Sequence, residues 1–149
     1  MSKVTIELSI KTHSNNLTFE DLKQLIIERP IKDWTKSHGQ SVLTFVENGE
    51  EKSALNFFAG CKGEGFLIEH SNRQDINDIL YVKEGEHTNQ TVEYTFGGDI
   101  YQTFGEYLVS KQILIEAIQG FMQNGGRSEK LKWSEFLVPE YSEVEMQAA

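Results

Sequence analysis

The residues with the widest chemical repertoire in this sequence are its four histidines, because imidazole can bind a metal ion or exchange a proton near neutral pH. They are His13, His38, His70 and His87. None of them belongs to an HExxH motif or to another spacing that is typical of metal ligands. The sequence therefore predicts no metal site and no cofactor, and we interpret the four rings as structural or solvated side chains.

Cys61 is the one cysteine of the chain, which excludes an internal disulfide and a cysteine-rich zinc site. It lies in the segment GCKGEG, residues 60–65, which is similar to a phosphate-binding loop only in its high glycine content. The segment lacks both the GxGxxG order and the Lys-Ser/Thr end of a Walker motif, so we interpret it as a hairpin turn. There is no GxSxG motif, and no histidine stands close to Cys61 in sequence. No residue is therefore predicted to be catalytic.

Carboxylates are so abundant, at 23 Asp and Glu residues, that some pair is expected to lie at glycosidase distance by chance. They are therefore no evidence for acid–base catalysis. Three acidic segments at strand ends and loops are more informative, because loops on a rigid sheet often carry binding function. Their carboxylates are the predicted partner-binding residues, namely Glu47, Glu50, Glu51, Asp75, Asp78, Glu84 and Glu86.

The elements that must position these segments begin with a strand and a helix. Apolar side chains occupy every second position near the start of the chain, which predicts a strand with one buried face. These positions are Val4, Ile6, Leu8 and Ile10. Helical spacing follows, with Thr18 as the predicted N-cap. The helix is expected to end close to Arg29, because the residue before Pro30 disfavours the helical conformation.

Five further segments are rich in β-branched and aromatic residues and are bounded by turn formers, which predicts strands. They span residues 41–47, 54–60, 65–70, 78–83 and 91–96. The links between them are too short for helices, which favours hairpins and an antiparallel sheet over parallel βαβ units.

A second helix is predicted to start after Ser110 as its N-cap and to carry an apolar stripe. The stripe consists of Ile113, Leu114, Ala117, Ile118 and Phe121. Gly125 or Gly126 can take the left-handed conformation that ends helices. We interpret residues 127–132 as a solvated link, and residues 130–133 resume an extended pattern that predicts a final strand. The complete pattern predicts an α+β fold, with a mostly antiparallel sheet of about five to seven strands covered by two helices.

Length and charge indicate the organisation of the chain and its partners. A length of 149 residues fits one domain, residues 1–149, with an acidic tail from about residue 140 that is expected to fray. The first residues do not form the apolar block of a signal peptide, and no run of eighteen apolar residues occurs, which predicts a cytoplasmic protein without a membrane partner. The formal net charge of −9 disfavours nucleic acid as a partner and favours a basic one.

The segment VSKQILIEAIQGFMQNGGRSEKLKW, residues 109–133, resembles the C-terminal motif of the immunity-protein family numbered one in bacterial polymorphic-toxin systems. In that family an apolar helix ends in a phenylalanine, a glycine follows, and a tryptophan stands several residues later. Phe121, Gly125 and Trp133 occupy these places here. Residues 55–70 look like the central hairpin of the family, in which an apolar strand turns through glycine into another apolar strand.

The resemblance implies a small α+β protein that binds a cognate toxin domain, often a nucleic-acid deaminase, and thereby protects the cell. We expect such a protein to be a monomer before binding and to act by stoichiometric occlusion, without catalytic residues. A toxin that acts on nucleic acid needs a basic groove, which a negatively charged inhibitor is suited to occlude. Within this hypothesis we interpret Trp133 as a residue that packs over the second helix rather than as a partner anchor.

Two other hypotheses remain open from the sequence. The first is a small acidic secretion chaperone, which would be a dimer with an exposed apolar groove for an unfolded segment. The second is a small enzyme on an antiparallel sheet, which would need a deep pocket lined by a carboxylate with a histidine nearby.

Overall fold

The computed structural model describes residues 2–8, 17–35 and 40–139. These ranges contain two α-helices and eight β-strands, and the arrangement confirms the predicted α+β class. His13, His38 and Ile10, together with the predicted acidic tail from about residue 140, lie outside the described residues.

All strand pairs in these ranges are antiparallel, as the short links between strands predict. The strands are β1 (Ser2–Glu7), β2 (Gln40–Glu47), β3 (Glu50–Ala59), β4 (Phe66–Asn72), β5 (Ile79–Val82), β6 (Thr91–Phe96), β7 (Asp99–Phe104) and β8 (Trp133–Ser134). Six of them form one sheet in the order β1-β2-β3-β4-β5-β8, and β6 and β7 form a separate hairpin. The six-stranded sheet agrees with the predicted number of strands.

Both helices begin at the predicted caps. In α1 (Phe19–Glu28), the Asp21 N–H donates to Thr18 Oγ1 at 3.2 Å, and the Thr18 N–H donates to Asp21 Oδ2 at 3.1 Å. This reciprocal capping box satisfies two N–H groups that the helix itself cannot satisfy. In α2 (Lys111–Asn124), Ser110 Oγ accepts from the Ile113 N–H at 3.4 Å. The helix ends at Gly125, which has a left-handed φ of 76°, so the predicted cap is the first glycine of the pair.

The main core lies between the two helices and one face of the sheet, which we call the inner face. Side chains of β2, β3 and β4 that alternate along each strand meet the apolar stripes of α1 and α2 there. A 3₁₀ turn, Ile31–Thr35, adds Trp34, whose ring is 1% exposed. The largest other members are Leu22, Ile26, Leu43, Phe45, Leu55, Phe57, Phe66, Ile68, Leu114, Ile118 and Phe121.

The hairpin of β6 and β7 forms a second layer on the opposite face of the sheet, which we call the outer face. It turns at Gly97 and Gly98, which have φ values of 62° and 86° that favour glycine. It is attached to the end of β3 through a bridge between Gly60 and Tyr94. Sequence patterning predicted β6 but not β7, which is a correction to the set of predicted strands.

The link from α2 to β8 is only partly the solvated segment that the sequence predicted, because Glu129, Lys130 and Lys132 are exposed but Arg127 and Ser128 are not. Arg127 Nη2 donates to Asp78 Oδ1 at 2.8 Å and to the Asp78 carbonyl oxygen at 3.3 Å. Ser128 is 7% exposed, and its hydroxyl donates to Glu116 Oε2 at 3.0 Å. The link is therefore anchored to the β4–β5 loop on one side and to α2 on the other.

Candidate functional site

A pocket lies between the outer face of the sheet and the β6–β7 hairpin, and we call it the aromatic pocket. Its volume is about 250 Å³, and it is open to solvent. Five of its seven lining residues are aromatic, and one is a carboxylate. The lining consists of Phe58 from β3, Leu67 and Glu69 from β4, Tyr81 from β5, Tyr94 and Phe96 from β6, and Tyr101 from β7.

The strand register explains why these residues meet. Phe58 pairs with Leu67 across β3 and β4, and Glu69 pairs with Tyr81 across β4 and β5. Because successive side chains of a strand point to opposite faces, Leu67 and Glu69 both point to the outer face. Tyr94 pairs with Tyr101 across the hairpin, with their ring centroids 5.9 Å apart.

The rim of the aromatic pocket is exposed although it is apolar. Phe96 is 39% exposed and Tyr101 is 40% exposed. Their ring centroids are 6.1 Å apart, and Phe96 lies 5.1 Å from Phe58 at the base of the pocket. Exposed rings of this kind, set around a cavity, are typical of a surface that binds another molecule.

A chain of hydrogen bonds holds the carboxylate of Glu69 in place. Asn56 Nδ2 donates to Glu69 Oε1 at 3.1 Å, and Gln40 Nε2 donates to Asn56 Oδ1 at 2.8 Å. The hydroxyl of Tyr81 donates to Glu69 Oε2. Burial and the neighbouring Glu69 raise the pKa of Tyr81, so its hydroxyl remains a donor at neutral pH. The carboxylate is therefore fixed in one orientation at the side of the pocket.

The histidine and cysteine residues do not join this pocket, whose lining contains neither residue type. His87 Nδ1 lies 2.6 Å from Glu106 Oε2, at the base of the hairpin. Burial raises the pKa of the Glu106 carboxyl, but hydrogen bonds from His87 and from the backbone outweigh this effect and lower it overall. Burial, with Glu93 and Glu64, raises the pKa of Cys61, so its thiol is protonated at neutral pH. Among the described residues, no group of three or more His, Cys, Asp or Glu could hold a metal ion.

The GCKGEG segment is a hairpin turn between β3 and β4, as predicted. The Gly60 N–H donates to the Gly65 carbonyl oxygen at 2.8 Å, and Gly63 has a left-handed φ of 75°. The backbone of Gly65 lies so close to Val109 that an added Cβ would be 2.5 Å from the Val109 carbonyl oxygen. The glycines therefore serve a tight turn and a close backbone approach.

The structure places the predicted partner-binding carboxylates at two opposite ends of the sheet. Glu47, Glu50 and Glu51 flank the β2–β3 turn, beside the β4–β5 loop that carries Asp75 and Asp78. These two segments meet, because Gln74 Nε2 donates to Glu50 Oε1 at 3.3 Å. Glu84 and Glu86 lie at the other end, in the exposed segment between β5 and β6.

Ion pairs among the described residues already engage two carboxylates of the first group. Lys52 Nζ lies 3.1 Å from Glu50 Oε2, and hydrogen bonds from Lys52 and Gln74 lower the pKa of Glu50. Asp78 is paired with Arg127, whose hydrogen bond lowers the pKa of Asp78. Glu84 and Glu86 are exposed and precede the strand that carries Tyr94 and Phe96. Of the predicted carboxylates, these two therefore lie in the chain segment that joins two strands of the aromatic pocket, β5 and β6.

The three residues of the C-terminal motif converge on one buried histidine. The rings of Phe121 and Trp133 lie 5.8 Å and 6.1 Å from the His70 ring, both in edge-on geometry. His70 Nε2 donates to the Gly125 carbonyl oxygen at 2.8 Å. Trp133 packs against the main core and donates through Nε1 to the Ser128 carbonyl oxygen at 3.0 Å. The motif therefore joins the end of α2 to β4 and β8.

We expect the free energy of unfolding to fall as the pH drops below about 6.5, because burial and the nearby Arg127 charge lower the pKa of His70 below the ordinary imidazole value of 6.5. These effects outweigh the hydrogen bond to Gly125, which raises it. Above about pH 6.5 the imidazole is neutral in the folded and in the unfolded chain. Below about pH 6.5, the unfolded chain binds a proton that the folded chain does not bind. The loss is at most about 1.4 kcal/mol per pH unit.

Urea unfolding at about pH 7.5 and about pH 5.5 measures this loss. His70→Gln is the control, because the amide can still donate a hydrogen bond but does not titrate. The same pH dependence in both proteins would contradict the assignment to His70.

The aromatic pocket was not predicted from the sequence, although one signal for it was present. Residues 53–60 are buried without interruption. In a strand with one solvent-exposed face, buried and exposed residues would alternate. The apolar run ALNFFAG therefore indicates that both faces of β3 are covered, the second face by a layer other than the helices.

No protein-family model matches this sequence, and no curated protein matches it. In the ranges that the structure describes, no helix is long and apolar enough to cross a membrane.

Proposed function

We propose that this chain is an immunity protein, which binds a cognate bacterial toxin domain in the cytoplasm and neutralises it by stoichiometric occlusion. The observation that carries the proposal is the exposed rim of the aromatic pocket, at Phe96 and Tyr101, on a chain with a formal net charge of −9. Aromatic side chains dominate the binding energy of many protein interfaces. The net negative charge of the chain favours a basic partner, because charge attraction speeds the encounter.

The resemblance of Phe121, Gly125 and Trp133 to the motif of the immunity-protein family supports the same proposal. In this chain the motif residues surround His70, on the inner side of the sheet. The motif then stabilises the fold, and the partner is bound elsewhere. The rim of the pocket on the outer face is accessible for that role, because Phe96 and Tyr101 are exposed and lie outside the main core.

The experiment is to determine which open reading frames lie beside this gene and to co-express the chain with a toxin domain that they encode. The chain should prevent toxicity, and the purified proteins should form an equimolar complex in which the toxin is inactive. Inhibition should reach completion at an equal molar ratio, because occlusion has no turnover. A dimer that binds the unfolded toxin precursor and leaves the folded toxin active would contradict this proposal and support a secretion chaperone. Turnover by the chain alone that one His or carboxylate substitution abolishes would support an enzyme.

Charge-neutralising variants should show which end of the sheet steers the toxin. We expect the double variant Glu84→Gln/Glu86→Gln to slow association by about two- to tenfold and to flatten its salt dependence. The matched control is Glu50→Gln/Glu51→Gln, which removes the same charge at the opposite end, where Lys52 already pairs with Glu50. Stopped-flow association rates at low and high ionic strength measure both effects. A larger effect from the control pair would place the binding face at the β2–β3 turn instead.

A further inference from the structure

We infer that the aromatic pocket binds the guanidinium group of an arginine side chain that the basic partner inserts into it. The inference rests on the proposed function, since the partner is the toxin domain, and it names the chemistry of the anchor. Three features of the pocket carry it, namely its aromatic walls, the fixed carboxylate of Glu69, and the absence of a cation among its lining residues.

The walls supply several aromatic faces close to one another. The Phe58 ring lies 5.9 Å from the Tyr94 ring, and Tyr94 stacks on Tyr101 at the same centroid separation with an interplanar angle of 28°. A cation within about 6 Å of such a ring is attracted by its quadrupole. A volume of about 250 Å³ accommodates the head of one long side chain but not a folded element.

Glu69 supplies the negative charge at a fixed position. Each of its oxygens accepts one hydrogen bond inside the protein, from Asn56 and from Tyr81 respectively. Two lone pairs per oxygen leave each of them able to accept one further donor. None of the ion pairs formed among the described residues includes Glu69. Among the described residues, therefore, no positive charge competes with a ligand cation for this carboxylate.

Arginine fits these features better than lysine or a neutral side chain does. Its planar guanidinium can stack on an aromatic ring and donate two parallel hydrogen bonds to one carboxylate. It is also less strongly hydrated than an ammonium group, so it loses less hydration when it enters an apolar pocket. A neutral polar side chain would gain neither the cation–π contact nor the ion pair.

The test is titration of the isotope-labelled full chain with the capped tripeptide Gly-Arg-Gly, monitored by NMR of the aromatic side chains. The matched probe is the same peptide with citrulline, which is a neutral isostere of arginine. We expect saturable shifts at Tyr94, Phe96 and Tyr101 with the arginine peptide, and none with the citrulline peptide. A lysine peptide should bind more weakly than the arginine peptide.

Two variants locate the binding. Glu69→Gln keeps an acceptor for Tyr81 but removes the charge, so the affinity for the arginine peptide should fall about tenfold or more. The matched control is Glu93→Gln, which removes one charge from β6 outside the pocket lining and should change the affinity less than about twofold. If Glu69→Gln fails to fold, Tyr101→Leu provides a second variant, since this ring is 40% exposed, and it should also weaken binding.

Equal binding of the arginine and citrulline peptides would overturn the inference. So would a lysine peptide that binds as tightly as the arginine peptide, or the absence of saturable shifts in the wild-type protein. These outcomes are distinct from failure of the proposed function. Neutralisation of the toxin without arginine binding would leave the immunity proposal in place and remove only this anchor. Arginine binding without neutralisation would keep the pocket and remove the immunity proposal.

Discussion

Phe121→Ala is expected to lower the free energy of unfolding by about 3 to 5 kcal/mol, a large share of the stability of a typical domain. The Phe121 ring is fully buried in the main core, at the end of the apolar stripe of α2. Its removal would leave a cavity beside His70, whose ring lies 5.8 Å away. The neighbouring strands cannot close this cavity, because their own side chains already pack on both sides of the sheet.

Urea unfolding followed by circular dichroism measures the loss. Gln123→Ala is a matched control, because Gln123 is exposed on the same helix and its replacement should change stability by less than about 0.5 kcal/mol. If the proposed function holds, the folded fraction of Phe121→Ala should still neutralise the toxin, since the ring faces the core. A loss of stability below about 1 kcal/mol would contradict the buried position of this ring.

The elements that could be predicted from the sequence are those that local pattern specifies. In α1 and α2, an apolar stripe and a capping residue indicate the same helix, and each cap predicted its start. The strands β2 to β6 were predicted because each combines β-branched or aromatic residues with flanking turn formers.

The strand β7 was missed because the first half of its sequence, DIYQTF, is exposed to solvent. Ile100 is 60% exposed and Tyr101 is 40% exposed, so burial imposes no clear alternation on the segment. The glycine pair at Gly97 and Gly98 was the available signal, because two glycines between short extended segments are typical of a tight hairpin.

The aromatic pocket could not be predicted because its residues come from five strands. Glu69 and Tyr81 are adjacent only through the register of β4 and β5, and Tyr94 joins them only after the hairpin folds over the sheet. Local pattern specifies which residues share a face of one strand, but not which strand lies beside it. The ion pair of Arg127 with Asp78 was missed for the same reason, since the two residues are far apart in sequence.

Gly125→Ala is expected to destabilise the protein by about 2 to 5 kcal/mol, because two effects act at this position. The left-handed φ of 76° strains any residue with a Cβ. An added Cβ would also lie 2.5 Å from Cγ of Phe45, in the main core. The Gly125 carbonyl oxygen in turn accepts from Ser53 Oγ at 2.6 Å and from His70 Nε2 at 2.8 Å, so movement to relieve the clash would break contacts with two strands.

Gly126→Ala is the matched control, because its added Cβ would meet only the end of the Asn124 side chain at 2.8 Å, and that side chain can rotate. Its expected cost is about 1 kcal/mol or less. A double-mutant cycle with Phe45→Ala measures the part of the cost at Gly125 that comes from the Phe45 ring. The Cβ of residue 45, which would lie 2.7 Å from the added Cβ, and the backbone strain both remain in that variant. Equal losses for the two single glycine variants would contradict both the clash with Phe45 and the backbone strain at Gly125. An unchanged cost of Gly125→Ala in the Phe45→Ala background would show that the ring contributes nothing, and would assign the effect to the left-handed backbone and to the Cβ of residue 45.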